Sequence, residues 1–352
     1  MNSIETFDLR PCYRISRIIR GGWQLAGGHG YVDCARAVAD LGACAEAGIN
    51  TFDCADIYTG VEELIGEFRE QYARRHGAKA LARVKVHTKC VPDLELLPGI
   101  RKADVRAIID RSMQRLRMER LDLVQYHWWD YAIPGCIDAA HWLDELRREG
   151  KIDLLGGTNF DTEHVERFAA AGIPMASMQV QYSLLDHRPE QGFVEACRRH
   201  GIHLLCYGSV AGGFLGEKWL GAPEPRAPLE NRSLTKYKLI IDDFGGWALF
   251  QQLLQVLRAV ALRHDVDIAT VASRYVLERP QVAGVIVGAR NSSHLAANLS
   301  IGTLRLTEQD RSEIAEVLAR RSGAAGDVFA LERDRTGRHG AIMKYNLNAK
   351  PS

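Results

Sequence analysis

The sequence predicts an α/β protein built from eight strand–helix units that close into one barrel. Short β-rich runs alternate with helical patterns along most of the 352 residues. Several of these runs are apolar on both faces, as strands between a packed interior and a helical shell should be, and strands joined through helices pair in parallel. Eight such units form a (β/α)8 TIM barrel. We therefore expect one barrel domain over residues 1–352.

The individual elements are predicted from apolar periodicity and β-rich composition. The eight predicted strands are, in chain order, RIIRGGWQ, NTFDCA, RVKVHTKC, LDLVQYHW, KIDLLGGTNF, MASMQVQYS, HLLCYGSV and VAGVIVGA. The predicted helices of the eight units cover residues 34–47, 61–75, 103–117, 138–148, 162–170, 190–200, 270–278 and 292–299.

Three stretches fall outside this alternation. A long loop at 211–245, containing Gly and Pro, follows the seventh strand, and a helix at about 246–264 precedes the eighth unit. The tail, 306–352, begins with a further helix in TEQDRSEIAEVLARR. Loops this long in compact domains are usually functional or disordered. Four apolar residues favour docking of the tail against the barrel: Val328, Phe329, Ile342 and Met343.

Composition and charge limit the class of protein. Apolar residues make up 46% and charged residues 25% of the chain, and the net charge is +1. A near-neutral chain has no electrostatic attraction to nucleic acid or an anionic membrane, and no apolar run approaches the roughly 18 residues of a membrane span. The eight cysteines show no C-x-x-C spacing and the N-terminus has no signal-peptide pattern. We expect a cytoplasmic protein with reduced thiols and no metal site, whether monomer or homo-oligomer.

Four chemically active residues fall at the carboxyl-terminal ends of successive predicted strands, where barrel enzymes place their active sites. Each of them alone is more often a helix cap, a packing residue or a satisfied core histidine. Their coincidence at one rim is improbable by chance, although Lys85 competes with Lys89 on the same strand face. The predicted catalytic set is Asp53 and Tyr58 after the second strand, Lys89 ending the third and His127 ending the fourth.

This set fits proton donation to an alkoxide that develops on a substrate carbonyl. A phenol with a pKa of about 10 is a poor acid at neutral pH until its anion is stabilised. The Lys89 ammonium supplies that stabilisation, and Asp53 keeps the ammonium charged and oriented. The imidazole of His127 can hydrogen-bond the carbonyl oxygen and place it beside Tyr58.

Seven segments carry a resemblance to a known family. FDCADIYTGVEELIGE holds an Asp, a Tyr five residues later and a helix start, and VHTKC and LDLVQYHWWD hold the Lys and the His. GGTNF, VQYSLLDH, LLCYGSVAGGFLGEK and VIVGARNSSHLAANL follow in that order. Together they resemble the aldo-keto reductase family through essentially the whole barrel. The departures are Thr158 for Ser, Ser183 for Asn, and Gly208 and Val210 in the seventh-strand segment.

The resemblance implies an extended nicotinamide cofactor across the carboxyl-terminal face of the barrel. A Rossmann site is not expected, because the chain lacks the G-x-G-x-x-G fingerprint. The implied nicotinamide contacts are Gly22, Trp23, Asp53, Thr158, Asn159, Gln179 and the stacking Tyr207. The implied pyrophosphate loop is 208–218, with Gly208, Val210, Gly213, Leu215 and Lys218, and the implied adenosine contacts are Gly288, Arg290, His294 and Asn298.

Arg290 favours NADP (NADPH) over NAD, because a guanidinium suits a ribose 2′-phosphate. His294 and Ala297 stand where many relatives place an Arg or Gln and a Glu, which leaves NAD as the alternative cofactor. The same segment also predicts a helix start, with Asn291 or Ser292 as the cap. The two interpretations are compatible.

The implied function is an NADP(H)-dependent oxidoreductase that interconverts a small-molecule carbonyl compound, an aldehyde, ketone or aldose, with its alcohol. The alternatives are an NAD-dependent sugar or alcohol dehydrogenase of the same family and a cofactor-bound regulatory subunit resembling potassium-channel β subunits. A barrel isomerase or metal-dependent aldolase is disfavoured, because the rim offers one carboxylate and one imidazole. The substrate pocket is predicted to be lined by Trp23, Tyr58, His127, Trp128 and Trp129, with Tyr131 as a further candidate.

Overall fold

Eight parallel strands close into a barrel in the computed structural model, which describes residues 4–26, 30–288 and 291–348. The strands follow chain order around the barrel, and the last one pairs with the first, with Val285 beside Ile18. The predicted (β/α)8 barrel is confirmed, and each of the eight predicted strands contains one strand of the barrel. The barrel strands are β3 (Ile18–Gly21), β4 (Thr51–Asp53), β5 (Lys85–Cys90), β6 (Leu121–Tyr126), β7 (Ile152–Thr158), β8 (Met175–Gln181), β9 (His203–Tyr207) and β10 (Val282–Gly288).

Helices connect the barrel strands and cover the outside of the barrel. Several begin where a side-chain oxygen accepts a hydrogen bond from an otherwise free backbone N–H, as at Asp161 and Asp267. None of the helices in the described ranges combines the length and apolarity that a membrane crossing requires. The helices are α1 (Cys34–Glu46), α2 (Val61–His76), α3 (Ala78–Leu81), α4 (Lys102–Leu116), α5 (Cys136–Arg148), α6 (Thr162–Ala170), α7 (Phe193–Arg199), α8 (Arg232–Phe244), α9 (Gly246–Arg263), α10 (Ile268–Leu277), α11 (Leu295–Thr303), α12 (Glu308–Leu318) and α13 (Ala330–Arg333).

An antiparallel hairpin that the sequence analysis did not predict precedes the barrel. It consists of β1 (Thr6–Arg10) and β2 (Tyr13–Ser16). Its apolar side chains are buried against the barrel interior, and Arg10 donates hydrogen bonds to the carbonyls of Met175 and Gly201 at the amino-terminal ends of β8 and β9. The hairpin therefore closes the barrel end opposite the carboxyl-terminal strand ends.

The predicted loop at 211–245 is not a loop throughout, because its second half forms α8. Asn231 caps this helix through the backbone N–H of Leu234. Leu234, Tyr237 and Phe244 lie on the face that packs into a second apolar core shared with α9, α10 and α12. The helical spacing of these apolar residues is present in the sequence, but the Gly- and Pro-containing stretch that precedes α8 led to the prediction of a loop. The correction places a helix beside the mouth of the barrel.

The tail docks on the barrel, as its apolar residues predicted. Val328 and Phe329 are buried. Arg188, which follows β8, donates two hydrogen bonds to Glu332 of α13, at 2.9 and 3.1 Å. The tail then continues across the barrel mouth to the loop after β5, where the backbone N–H of Leu94 donates to the Tyr345 carbonyl. The tail thereby forms part of the wall around the carboxyl-terminal strand ends.

Candidate active site

A cavity of about 630 Å³ opens at the carboxyl-terminal ends of the barrel strands. The strand ends, the loop after β9, α8 and the tail form its wall. The structure therefore brings most of the predicted site residues together around one space. Those that line the cavity are Trp23, Asp53, Tyr58, Lys89, His127, Trp129, Thr158, Asn159, Gln179, Tyr207, Gly208, Val210, Gly213, Gly288 and His294.

Lys89 and Asp53 form a buried ion pair at the bottom of the cavity. The Lys89 Nζ donates to Asp53 Oδ2 at 2.7 Å and to the Cys54 carbonyl at 2.8 Å. Burial alone would lower the pKa of Lys89, but the Asp53 carboxylate and its hydrogen bond outweigh that effect and hold the pKa above its ordinary value. Lys85, the competing candidate, does not line the cavity among the described residues and lies over the Tyr13 ring of the hairpin. Lys89 is thus the ammonium held at the rim.

Tyr58 lies beside this pair. Its ring centroid is 5.1 Å from the Lys89 Nζ and 5.0 Å from the ring centroid of Trp23. Burial raises the pKa of the Tyr58 phenol, whereas the nearby Lys89 ammonium draws the pKa down. The arrangement that links the phenol to the ammonium and the carboxylate is the one expected from their spacing in the sequence.

Two glutamines complete the hydrogen bonding of Asp53. The Nε2 atoms of Gln125 and Gln179 donate to Asp53 Oδ1 at 3.0 and 2.6 Å, and Gln179 Nε2 also donates to Gln125 Oε1 at 2.9 Å. Sequence analysis missed Gln125, although its place two residues before His127 on the same strand put both on the inner face by alternation. Both amide hydrogens of Gln179 are used within the protein, so its Oε1 is the atom left for a ligand.

The ring of His127 is neutral and its tautomer is fixed. Its Nδ1 lies 3.0 Å from the Thr158 carbonyl oxygen, which can only accept, so Nδ1 carries the hydrogen. The buried Nε2 has no hydrogen-bond partner among the described residues. Burial, together with the positive charge of Arg333, lowers the pKa of His127 to about 3. In this form Nε2 is an acceptor, so the predicted hydrogen bond from the imidazole to a carbonyl oxygen would require a second proton.

The predicted nicotinamide contacts are neighbours in the structure. The backbone N–H of Asn159 and the Thr158 hydroxyl both donate to the Gln179 carbonyl, at 3.0 and 3.2 Å. The Tyr207 hydroxyl donates to Asn159 Oδ1 at 2.8 Å. Gly22 does not line the cavity among the described residues, but its N–H donates to the Asp53 carbonyl. These contacts fix the wall on which a planar ring would rest.

The predicted pyrophosphate loop is only partly exposed to the cavity. Gly208 has a φ of +76°, and a Cβ there would clash with the Tyr237 hydroxyl oxygen, so glycine is the residue that fits this turn. Leu215 is fully buried in the second core and Lys218 lies 5.3 Å from the Trp219 ring centroid. Among the described residues, neither side chain lines the cavity, and their contact with a pyrophosphate stays a prediction.

The predicted adenosine end lies beyond β10. Gly288 and His294 line the cavity, whereas Asn298, on α11, is not among the described lining residues. Arg290 lies outside the described residues. Asn291 caps the short helical turn that follows, with its Oδ1 accepting from Ser293 N at 3.0 Å. The helix-start interpretation of this segment therefore holds through Asn291.

Trp129 lines the cavity but Trp128 does not, so the prediction for Trp128 is wrong. Its side chain is fully buried and its indole N–H donates to the Asp130 carbonyl at 2.9 Å. Successive residues of an extended chain point to opposite sides, so His127 facing inward sends Trp128 outward. The Trp129 ring packs edge-on against the His127 ring, with 4.3 Å between the two ring centroids. Tyr131, the further candidate, stacks on His164 at 3.5 Å and is also outside the described lining.

Several further cavity residues come from α8 and the tail and were not predicted as site residues, among them Lys236, Phe329 and Met343. Lys236 on α8 lies with its Nζ 5.1 Å from the Tyr207 ring centroid. Phe329 of the tail packs edge-on against His127 at 5.7 Å, and Met343 also lines the cavity. Helical spacing in 232–244 was the signal that could have found Lys236. For the tail residues only their apolar character was available.

The chain is similar to proteins of one family. A profile of the Aldo/keto reductase family matches residues 17–319. Aldo-keto reductase YhdN of Bacillus subtilis (strain 168) is 24% identical over 306 residues, covering 86% of this chain and 90% of the relative. The NADH-specific methylglyoxal reductase of Escherichia coli (strain K12) is 24% identical over 340 residues, covering 87% and 96%.

Two further comparisons are more limited. Flagellar radial spoke protein 5 of Chlamydomonas reinhardtii is 27% identical over 261 residues, or 64% of this chain, and the match spans 49% of that relative. The solved structure of the glycerol dehydrogenase AKR11B4 from Gluconobacter oxydans has a TM-score of 0.74 at 24% identity, covering 89% of this chain and 94% of that one, which shows the shared fold. Because the family profile spans most of the barrel, the chain belongs to the aldo/keto reductase family.

Proposed function

We propose that the chain is an NADP(H)-dependent oxidoreductase that interconverts an aldehyde, ketone or aldose with its alcohol, and that Tyr58 donates and accepts the proton. One observation carries the proposal: Asp53 holds the Lys89 ammonium 5.1 Å from the centre of the Tyr58 ring, in the wall of the cavity. An ammonium fixed there lowers the free energy of the tyrosinate, so the phenol becomes a better acid.

The cavity residues fit an extended dinucleotide. The lining runs from Trp23 beside Tyr58 to Gly288, which ends the last strand, and His294, which follows it. A bound nicotinamide would supply or accept the hydride. Tyr207 would stack against its ring and Gln179 Oε1 would accept from its carboxamide, while the backbone of the Gly208 turn would face the pyrophosphate. Trp23, next to Tyr58, would limit the space open to the substrate.

His127 would orient the substrate oxygen as a hydrogen-bond acceptor. Its Nδ1–H is bound to the Thr158 carbonyl, so the free Nε2 can accept a hydrogen bond from an alcohol hydroxyl. An alcohol has a single O–H, so while that hydrogen is donated to Nε2, Tyr58 can only donate to the same oxygen. Tyr58 accepts the proton in oxidation when the O–H points to the tyrosinate instead of Nε2. This assignment supports binding of the alcohol form directly and leaves Tyr58 as the donor to a carbonyl oxygen.

NADP remains the proposed cofactor, with NAD as the second candidate. The sequence argument for NADP rests on Arg290, a guanidinium suited to a 2′-phosphate. The relative described as an NADH-specific methylglyoxal reductase supports NAD as the alternative, which would make the chain an NAD-dependent dehydrogenase or reductase of the same family.

Titrations with NADPH and, separately, with NADH test the proposal. Quenching of tryptophan fluorescence reports the binding, since Trp23 lines the cavity. We expect NADPH to bind at least about tenfold more tightly than NADH, a difference of about 1.4 kcal/mol. When an aldehyde or ketone is added to the saturated complex, the protein should reduce it and the bound cofactor should be oxidised. Tighter NADH binding would transfer the proposal to NAD, and absence of binding would refute it. Tight binding without turnover of any carbonyl would instead favour the regulatory alternative.

A further inference from the structure

Lys236 places a positive charge in the cavity wall, outside the proposed catalytic set. It lies on α8, its side chain is 16% exposed, and it lines the cavity. Three aromatic rings surround the ammonium: its Nζ lies 5.1 Å from the ring centroid of Tyr207, 5.7 Å from that of Tyr237 and 5.8 Å from that of Phe329. Rings around an ammonium hold it by cation–π attraction and keep water away from it.

This ammonium has unused hydrogen-bonding capacity. The carboxylate oxygen nearest to it is Oε1 of Glu332, at 3.7 Å, which is too long for a hydrogen bond. Both oxygens of Glu332 already accept from Arg188, which also binds Asp186. Among the described residues, no acceptor lies within hydrogen-bonding distance of Lys236 Nζ, so its three donors are free for a ligand.

One aromatic ring separates Lys236 from the proposed catalytic His127. Phe329, one of the rings around its ammonium, packs edge-on against the ring of His127. Asp53 is the only carboxylate among the described residues that line the cavity, and Lys89 neutralises it. An anionic group entering next to Phe329 would therefore meet the Lys236 ammonium, whose ion-pair partner among the described residues, Glu332, is also held by Arg188.

We propose that Lys236 binds a carboxylate of the substrate, so that the preferred substrates are aldehydes or ketones that carry a carboxylate. The inference rests on the proposed function, because it names the substrate class of the same site. An ammonium forms charge-assisted hydrogen bonds to a carboxylate, and exclusion of water by the surrounding rings strengthens them. Burial outweighs the nearby Glu332 carboxylate and lowers the pKa of Lys236, and a bound carboxylate would raise that pKa by adding to the effect of Glu332.

The experiment compares two substrates that differ in one charge: para-carboxybenzaldehyde and its methyl ester. Lys236→Met removes the ammonium at similar volume, and Lys236→Arg keeps the charge. The matched control is Lys238→Met, two residues along α8, because Lys238 is paired with Glu224 and Asp242 and is not among the described lining residues. Each protein is saturated with NADPH, or with NADH if the titration selects it, before KM and kcat are measured.

We expect Lys236→Met to raise KM for the carboxylate by about tenfold or more and to leave KM for the ester within about twofold. Lys236→Arg should recover most of the preference, and Lys238→Met should match the unmodified chain. An equal loss for both substrates would overturn the inference, as would a loss explained by weaker NADPH binding, which would assign Lys236 to a cofactor phosphate.

Calorimetry with para-carboxybenzyl alcohol separates this inference from the proposed function, because binding needs no turnover. If the unmodified chain binds this alcohol at least about tenfold more tightly than Lys236→Met does but reduces no carbonyl, the proposed function fails and the Lys236 site stands. Equal binding by the two proteins would overturn the Lys236 site regardless of turnover.

Discussion

Asp53 and Lys89 are each only 5% exposed at the side chain, so their pairing must offset the cost of taking two charges out of water. The geometry does this by saturating the carboxylate. One oxygen accepts from Lys89, and the other from Gln125 and Gln179. Because every member of this network is fixed, the ammonium is held in one position relative to the Tyr58 ring. That preorganisation is the residue-scale basis for assigning Tyr58 as the acid.

Tyr58→Phe removes the proton donor and should lower kcat by at least about a hundredfold, because a positioned general acid contributes about that much or more. The ring and its packing against Trp23 remain, so NADPH affinity should stay within a few-fold. Stopped-flow cofactor oxidation and fluorescence titration measure the two quantities. Tyr31→Phe is the control, since Tyr31 is 96% exposed. Residual turnover close to that of the control would remove Tyr58 from its proposed role.

At the scale of elements, one guanidinium makes several of the contacts that hold the tail on the barrel. Arg333 of α13 donates hydrogen bonds to the carbonyls of Trp128, Trp129 and Asn159. Its Cζ lies 3.8 Å from the Tyr131 ring centroid. The Trp128 and Trp129 carbonyls lie in the loop after β6, and the Asn159 carbonyl directly follows β7. Arg333 therefore fastens the tail to the strand ends where His127 and Asn159 lie. Phe329 is held against His127 by the same attachment.

Arg333→Met should release the tail, because three carbonyls lose their charged donor and the ring of Tyr131 loses its cation. Leaving buried acceptors unsatisfied costs about 1–3 kcal/mol each, so we expect a loss of about 2 kcal/mol or more in the free energy of unfolding. Limited proteolysis should also cut the tail after α12 sooner, and KM for an aromatic aldehyde should rise.

Arg335→Met is the matched control in the same tail. Arg335 is half exposed and pairs with Asp130 at 3.1 Å, so its loss should cost at most about 1 kcal/mol. Similar proteolysis and stability for the two variants would show that Arg333 does not fasten the tail. The readouts are urea-unfolding midpoints and the rate at which trypsin-like cleavage appears on gels.

For the whole molecule, two buried neutral histidines make folding depend on pH. Burial, with the charges of Lys89 and Lys85, lowers the pKa of His87 to about 3, and its ring nitrogens have no hydrogen-bond partner among the described residues. His127 has a pKa of about 3 as well. An unfolded chain protonates histidine near a pKa of about 6.5, so between about 6.5 and 3 it binds more protons than the folded chain. The contribution of these two histidines to the free energy of unfolding is therefore complete above about pH 6.5 and is lost as the pH falls towards 3.

His87→Met should reduce this acid sensitivity, because it removes one of the two protonation differences. The slope of unfolding free energy against pH should fall by up to about 1.4 kcal/mol per pH unit between about pH 6 and 4. Urea denaturation at several pH values measures the slope. His141→Met, at an exposed position, should leave it unchanged. An unchanged slope in His87→Met would mean that His87 is protonated in the folded chain or titrates in parallel in both states.

How much could be predicted from the sequence differs between the site and its surroundings. Asp53, Tyr58, Lys89 and His127 meet at one rim because they end neighbouring parallel strands, and strand order is enough to place them. The orientation of Trp128 was also within reach, since alternation along the chain opposes it to His127. Gln125 was within reach for the same reason, since it lies two residues before His127 and alternation puts both on the inner face. The single-domain organisation of the chain stays a prediction.

The sequence by itself determined the eight barrel strands, their order and the residues at their carboxyl-terminal ends. The reason is that apolar runs and the helices that connect parallel strands are local features of the sequence pattern. Only the tertiary structure decided how the hairpin before the barrel, α8 and the tail are used. Their apolar residues specify that they must be covered but not by what, and the partners, such as Arg188 for Glu332, lie 144 positions apart in the chain. The tautomer of His127 and the free ammonium of Lys236 also follow from those long-range contacts, since each depends on which acceptors the folded chain brings within reach.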